Sequence, residues 1–241
     1  MMSAAGTLQL CVGIESGVEA NVHSMREIFA EDDTEGVIQV DANNAFNTFN
    51  RSVLLHNIWI LCPEIATYTT NCYAKPARLF VTGGVEIQSE EGTTQGDPIA
   101  MPIYAVSILP LLTSIIVDDK ASRITNLKQA AFADDLVGAG SLASLKFWWD
   151  AILRYGPYIG YEAKASKSWL IIKEEYENCA RDLFYGSDLN ITVKGKKHLG
   201  AIIGSEDLKK RYFEELINDW CKELNILSEI ALIEPHAAYT R

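Results

Sequence analysis

The sequence predicts an α+β fold, an antiparallel sheet with helices packed on one face. Three observations carry this. Strand-type runs come in pairs around turn residues, amphipathic helical spacing separates the pairs, and the resulting order β-α-α-β-β-α-β-β-α-β mixes hairpins with helices.

Residues 15–31 space Val18, Val22, Met25, Ile28 and Phe29 along one side of a helix. Gly36-Val37-Ile38-Gln39-Val40-Asp41 reads as a strand ending in an acid. Asn43 or Asn44 can cap the next helix, which carries Phe46, Phe49, Val53, Leu54 and Ile58. A second helix runs from Pro63, which suits a first turn, to about Tyr73. Two β-rich runs around Gly83-Gly84 form a hairpin over residues 78–88. Gln95-Gly96-Asp97-Pro98 opens an apolar helix from Ile99 to about Val117, interrupted by Pro102 and Pro110. Apolar runs flank Asp134-Asp135, so a hairpin with both acids at its tip is expected. Ser141 caps a helix through Leu153. Residues 168–172, 189–193 and 198–204 read as strands, and 206–231 as a charged amphipathic helix.

With 241 residues, 48% of them hydrophobic and 22% charged, the chain is long enough to bury a substantial core. No apolar run reaches the roughly 18 residues of a membrane span, so no membrane partner is expected. The start of the sequence lacks a basic region leading into an apolar stretch, which argues against a secretory signal. Cys11, Cys62, Cys72, Cys179 and Cys221 form no Cys-x-x-Cys pair. Reduced thiols in an intracellular protein are expected, without zinc. The net charge of -11 is adverse for a polyanion binder, but lysines cluster over 164–173 and 194–197.

The Asp134-Asp135 pair is the centre of the functional reading. Two carboxylates about 4 Å apart repel by roughly 4 kcal/mol at an effective dielectric of 20. An apolar setting keeps such a pair only with a counter-charge, usually a metal. Asp41, ending its own strand, can converge on them, and three carboxylates can hold two Mg²⁺ ions. Each acid also has a plain reading: Asp41 as a helix cap, the pair as a polar turn. Asp118-Asp119 shows why adjacency alone is weak evidence. It has no second strand, and Lys120 and Arg123 follow it, as in a solvated loop.

In order along the chain stand Asp41-Ala42-Asn43-Asn44-Ala45-Phe46-Asn47, Gln95-Gly96-Asp97-Pro98 and Phe132-Ala133-Asp134-Asp135. This series resembles motifs A, B and C of reverse transcriptases, most closely those of non-LTR-type retroelements. Gly160-Tyr161 with Lys164 and Ser166-Lys167-Ser168 resembles motif D, and His198-Leu199-Gly200 the motif E hairpin. The resemblance implies a polymerase palm that transfers deoxynucleotides to a primer 3′-hydroxyl. Asp41, Asp134, Asp135 and the Ala42 carbonyl would hold two Mg²⁺ ions, with Mn²⁺ as a possible substitute. Phe46 would be the steric gate against ribose, or simply pack in the core. Gln95 and Gly96 would line the nucleotide pocket, and Phe132 would precede the acids. Lys164 or Lys167 would act near the leaving pyrophosphate, and His198-Leu199-Gly200 would hold the primer end. The partners implied are an RNA template, a DNA primer and dNTPs.

Relative to that family, Arg26 is the only Arg or Lys before Asp41, and few residues follow Gly204. A palm over 1–205 with partial fingers is expected, then a helical extension over 206–241 that starts an incomplete thumb. The alternative function is a truncated, inactive retroelement remnant that binds RNA or protein at most. A nucleotidyl cyclase of palm fold would leave the Gln95-Gly96-Asp97-Pro98 loop unexplained.

Overall fold

The computed structural model describes residues 5–94, 96–117 and 126–239. Its elements follow the predicted order, except that the strand expected over 198–204 is a hairpin turning at Leu199-Gly200 and a short helix at Glu177–Leu183 is additional. Helix α1 is Gly17–Ala30, strand β1 Gly36–Val40, and then come α2 (Ala45–Thr48), α3 (Arg51–Leu61) and α4 (Pro63–Tyr73). A hairpin, β2 (Ala77–Val81) and β3 (Val85–Ser89), leads to α5 (Ala100–Ser107) and α6 (Leu109–Val117). Strands β4 (Lys128–Phe132) and β5 (Asp135–Gly140) precede α7 (Leu142–Tyr155). Next are β6 (Trp169–Ile172), α8 (Glu177–Leu183), β7 (Asn190–Thr192), β8 (Gly195–His198) and β9 (Ala201–Gly204). The long α9 (Glu206–Ile233) and the short α10 (Pro235–Tyr239) complete the described chain.

Five strands form the main sheet in the order β4-β5-β1-β6-β7. β1 is central, antiparallel to β5 and to β6. The sheet departs from a purely antiparallel one at its edge, where β7 runs parallel to β6. That pair can be parallel because α8 supplies the crossover.

Period-two alternation gives β1 two buried faces. Ile38, Val40, Leu136, Leu170 and Ile172 belong to the larger core, with Trp148 and Trp149 of α7 and Ile103 and Tyr104 of α5. Val37, Val137, Ala139 and Ile171 belong to a second core, closed by Met25 of α1 and Ile203 of β9. Helices therefore cover both faces of the sheet, where one was expected. The β1 burial pattern explains this. A buried run broken only by half-buried Gln39 is that of a strand covered on both sides.

Some boundaries differ from the sequence reading for local reasons. The helix expected after Asn44 breaks at Phe49, which takes an extended φ of -58° and ψ of 129°. A new cap then starts α3, where the Asn50 side chain accepts the Val53 N–H. Asn44 itself makes no side-chain cap bond. The helix expected from Ile99 begins at Ala100, and its interruption falls between Ser107 and Leu109, while Pro102 sits inside the first turn of α5. Asp118, Asp119 and Gln95 lie outside the described residues. The β2–β3 hairpin is exposed along nearly its whole length, and α9 has no buried residue. Among the described residues no helix is long and apolar enough to cross a membrane.

Candidate active site

The ends of β1 and β5 bring the acids together. Val40 faces Leu136 in the antiparallel register, so one step further Asp41 faces Asp135. Opposed Cα atoms in such ladders are about 4.5–5.5 Å apart. Alternation puts Asp41 and Asp135 on the same face as Gln39, and all three line one cleft of about 160 Å³ with Lys167, Lys196 and Lys197. Asp134 alone occupies the turn with Ala133. Asp135 already opens β5, paired with Phe132, where the sequence had placed both acids at the tip.

Each acid is held through its main chain. The Asp41 N–H donates to Ser168 Oγ at 3.1 Å, and its carbonyl accepts the Lys164 N–H at 2.8 Å. Ser168 Oγ in turn donates to the Lys164 carbonyl at 2.9 Å. The 164–168 loop thus clips the end of β1 and presents Lys167 Nζ 3.9 Å from Asp41 Oδ1. Both groups are about half exposed, so the pair contributes little to stability. Lys164 touches this site through its backbone, and Lys167 through its ammonium. Across the site, Tyr161 Oη donates to the Asp134 carbonyl at 3.0 Å.

The charges are coupled. The surrounding protein, then the charge of Asp41, raises the Asp134 pKa above the usual carboxylate range. The surrounding protein, then Asp134 and Asp41, pushes Asp135 up to about 6. Folded acids that hold protons more tightly than unfolded ones lose stability as pH rises through the interval between the two values. Asp135→Asn, which mimics the protonated acid, is therefore expected to gain melting temperature on wild type between about pH 4 and pH 7. Metal-free thermal melts across that range check this. An equal gap at both ends would show that Asp135 is not strained by burial and repulsion.

The other residues of the predicted site are placed as follows. Ala42 is buried and bridged to Ala163. Phe46 is half-buried on α2 and stacks on Tyr104, with ring centroids 4.6 Å apart. Gly96 is exposed with φ 92°, a conformation that suits glycine. Its loop is anchored upstream by Arg51, whose guanidinium donates to the carbonyls of Ser89, Glu91 and Gly92. Gly92 lies so close to α2 that a Cβ would stand 2.1 Å from the Phe46 carbonyl oxygen. Asp97 accepts the Ile99 N–H and the Tyr73 hydroxyl proton, so it caps the loop two residues ahead of the expected helix start. Phe132 packs against the second core at the end of β4.

The β8–β9 hairpin lies beside the acids. Leu199 and Gly200 both have positive φ, as a tight two-residue turn requires. His198 is buried against Asn21 Oδ1 at 3.2 Å, and burial pulls its pKa down to about 4, so it is neutral at pH 7. The ring anchors the hairpin to α1, and its neighbours Lys196 and Lys197 supply positive charge to the cleft. Lys196 Nζ sits 4.1 Å from the Trp169 ring centroid. Neither lysine stood out in the sequence beyond belonging to a basic cluster.

This architecture has counterparts among solved structures. It matches apo telomerase from Candida tropicalis with a TM-score of 0.58 and 11% identity, over 79% of this chain and 35% of that one. The Candida tropicalis telomerase bound to a TWJ fragment of telomeric RNA gives a TM-score of 0.52 and 12% identity, over 78% and 31%. The Candida albicans telomerase with the same kind of fragment gives 0.51 and 9%, over 72% and 33%.

The fold is shared with telomerase. The chain spans about a third of the length of those telomerase chains. No protein-family model and no curated protein sequence matches it.

The donor chemistry of the site suits a hard divalent cation, since Asp41, Asp134, Asp135 and the Ala42 carbonyl offer only oxygen. Among the described residues no three His, Cys, Asp or Glu side chains are gathered closely enough to enclose an ion.

Proposed function

We propose that this chain is the palm of an RNA-directed DNA polymerase of non-LTR retroelement type, which joins dNTPs to a DNA primer on an RNA template. The observation that supports this best is the convergence of Asp41, Asp134 and Asp135 at adjoining strand ends, within a fold shared with telomerase. Two Mg²⁺ ions, or Mn²⁺ in their place, would be held by these three acids and the Ala42 carbonyl. Bound there, divalent cations supply charge stabilisation at the transferring phosphate and lower the pKa of the attacking hydroxyl.

The chain's own residues supply the rest. Lys167, beside Asp41, faces the phosphates and can neutralise or protonate the departing pyrophosphate. Phe46 on its Tyr104 platform meets the sugar, and Gly96 meets the base and template. Lys196 and Lys197 concentrate positive charge where the primer phosphates would lie. That placement offers local positive charge to a polyanion despite the acidic balance of the whole chain. RNA bound in complexes of the similar telomerases supports a nucleic-acid partner here.

Primer extension tests the reading. Purified, folded protein should incorporate dTTP on oligo(dT)-primed poly(rA) with Mg²⁺ or Mn²⁺, and absence of incorporation would overturn independent polymerase activity. A second reading, a non-catalytic module that binds RNA, is favoured by the RNA held in complexes of the similar telomerases. It predicts retention of labelled poly(rA) without incorporation under either metal.

A further inference from the structure

We infer that Gln9 is a positioning residue that sets the acidic turn, an inference that rests on the polymerase reading above. Gln9 is fully buried. Its Oε1 accepts the Ala133 N–H at 2.8 Å, while its Nε2 donates to the Ala133 carbonyl at 3.1 Å and reaches the Ala105 carbonyl of α5 at 3.4 Å. One carboxamide thereby satisfies both main-chain groups of the residue that immediately precedes Asp134, as a neighbouring strand would.

Ala133 requires such a partner. Its φ is 54°, a left-handed conformation that is unfavourable for a residue with a Cβ. Strained backbone persists where the surroundings over-determine it. Tyr161 fixes the far side of the turn through the Asp134 carbonyl, and Gln9 fixes the near side. Gln9 is itself immobilised, because residues 8–10 run beside β4. The Leu10 N–H donates to the Ala131 carbonyl at 2.8 Å, and the Ala131 N–H donates to the Leu8 carbonyl at 2.7 Å. A neutral side chain also suits a place next to two carboxylates whose charges already repel. The third bond ties the turn to α5, the helix that carries Tyr104 under Phe46. Acids and nucleotide platform are thus referenced to one buried amide.

The test uses the full chain and two readouts, Mn²⁺ affinity by electron paramagnetic resonance and hydrogen exchange at the Ala133 amide. Gln9→Met keeps the volume and removes every bond. Leu10→Ala removes buried apolar contact on the same segment without touching the turn. Gln9→Met is expected to weaken Mn²⁺ binding at least tenfold and to speed Ala133 exchange, while Leu10→Ala, although less stable, binds Mn²⁺ as wild type does. Wild-type affinity in Gln9→Met, or equal weakening in Leu10→Ala, overturns the positioning role. A wild-type chain that binds no Mn²⁺, or an Asp134→Asn variant that binds it equally well, overturns the polymerase reading and the positioning role with it.

Discussion

Asp134→Asn is expected to lower nucleotide incorporation by about a thousandfold or more, the scale on which a group facing developing charge counts, while leaving the fold intact. The substitution keeps the shape of the side chain and removes its charge. The structure gives a specific reason to expect an undamaged fold. Asp134 is held through its carbonyl by Tyr161 and through the preceding residue by Gln9, and neither contact involves the carboxylate. Burial and the charge of Asp41 both oppose ionisation of Asp134, so the neutral amide removes a repulsion that the metal-free protein carries at pH 7. The melting temperature without metal should stay level or rise. Single-turnover incorporation together with thermal melts provides the check. Near-wild-type incorporation would remove Asp134 from the reacting centre, and a large fall in melting temperature would show that the carboxylate has a structural partner.

That combination, lost chemistry with equal or greater stability, separates a site acid from a turn acid. A polar turn residue would lose stability or nothing on becoming Asn, and would leave incorporation unchanged. The two plain readings that the sequence allowed for the acids, a helix cap at Asp41 and a polar hairpin at Asp134-Asp135, differ in how they fare. Asp41 does not cap α2 with its side chain. Asn44 stands at that helix's N-cap position and makes no side-chain cap bond either. Asp134 does sit in a turn, but it shares its electrostatic environment with acids from two strands.

The fold was legible where period and punctuation agree. Pro63 and Tyr73 mark both ends of α4, Gly83-Gly84 marks the β2–β3 turn, and Ser141 caps α7 by accepting the Ser144 N–H. Packing decided the rest. Gln39 and Val37 share a face that no local pattern assigns to α1, so the second covered side of the sheet was hidden. The parallel β6–β7 pairing depends on how α8 crosses over, and three-residue β7 carries too little pattern to show direction. At the site, the order of the motifs pointed to the acids and Phe46 as candidates and left the choice between Lys164 and Lys167. It could not make that choice, because both lysines lie in one loop and only the turn at Ser168 decides which ammonium faces Asp41. Gln9 was out of reach for a different reason. A single glutamine beside apolar residues carries no signal, and its role arises from contacts 96 and 124 positions away in the sequence.

Phe46→Ala is expected to cut discrimination against ribonucleotides by about a hundredfold, the scale on which a pocket tells a substrate from its hydroxylated or lengthened analogue. The ring lies five residues beyond Asp41 on α2, half-buried and stacked on Tyr104 at 29° between planes. Tyr104 is fully buried and makes an edge contact with Phe49 at 5.1 Å between centroids, so the platform under Phe46 is rigid. A ring on a rigid platform rejects an extra hydroxyl by shape, since it cannot yield without moving the core. The same stacking means that truncation costs packing, about 2–3 kcal/mol for a half-buried aromatic, and loss of stability must be separated from loss of selectivity. Phe46→Leu retains much of the apolar volume and serves that purpose. It should melt closer to wild type and still admit ribonucleotides more readily than wild type does. The measurement is the ratio of kcat/KM for dTTP to that for UTP in each variant, beside its melting temperature. If both variants lose stability while the ratio stays at the wild-type value, Phe46 is a core residue of α2 and the sugar is read elsewhere. If the ratio falls in both while only Phe46→Ala is destabilised, the ring acts on the sugar, and the Tyr104 stack holds it in place.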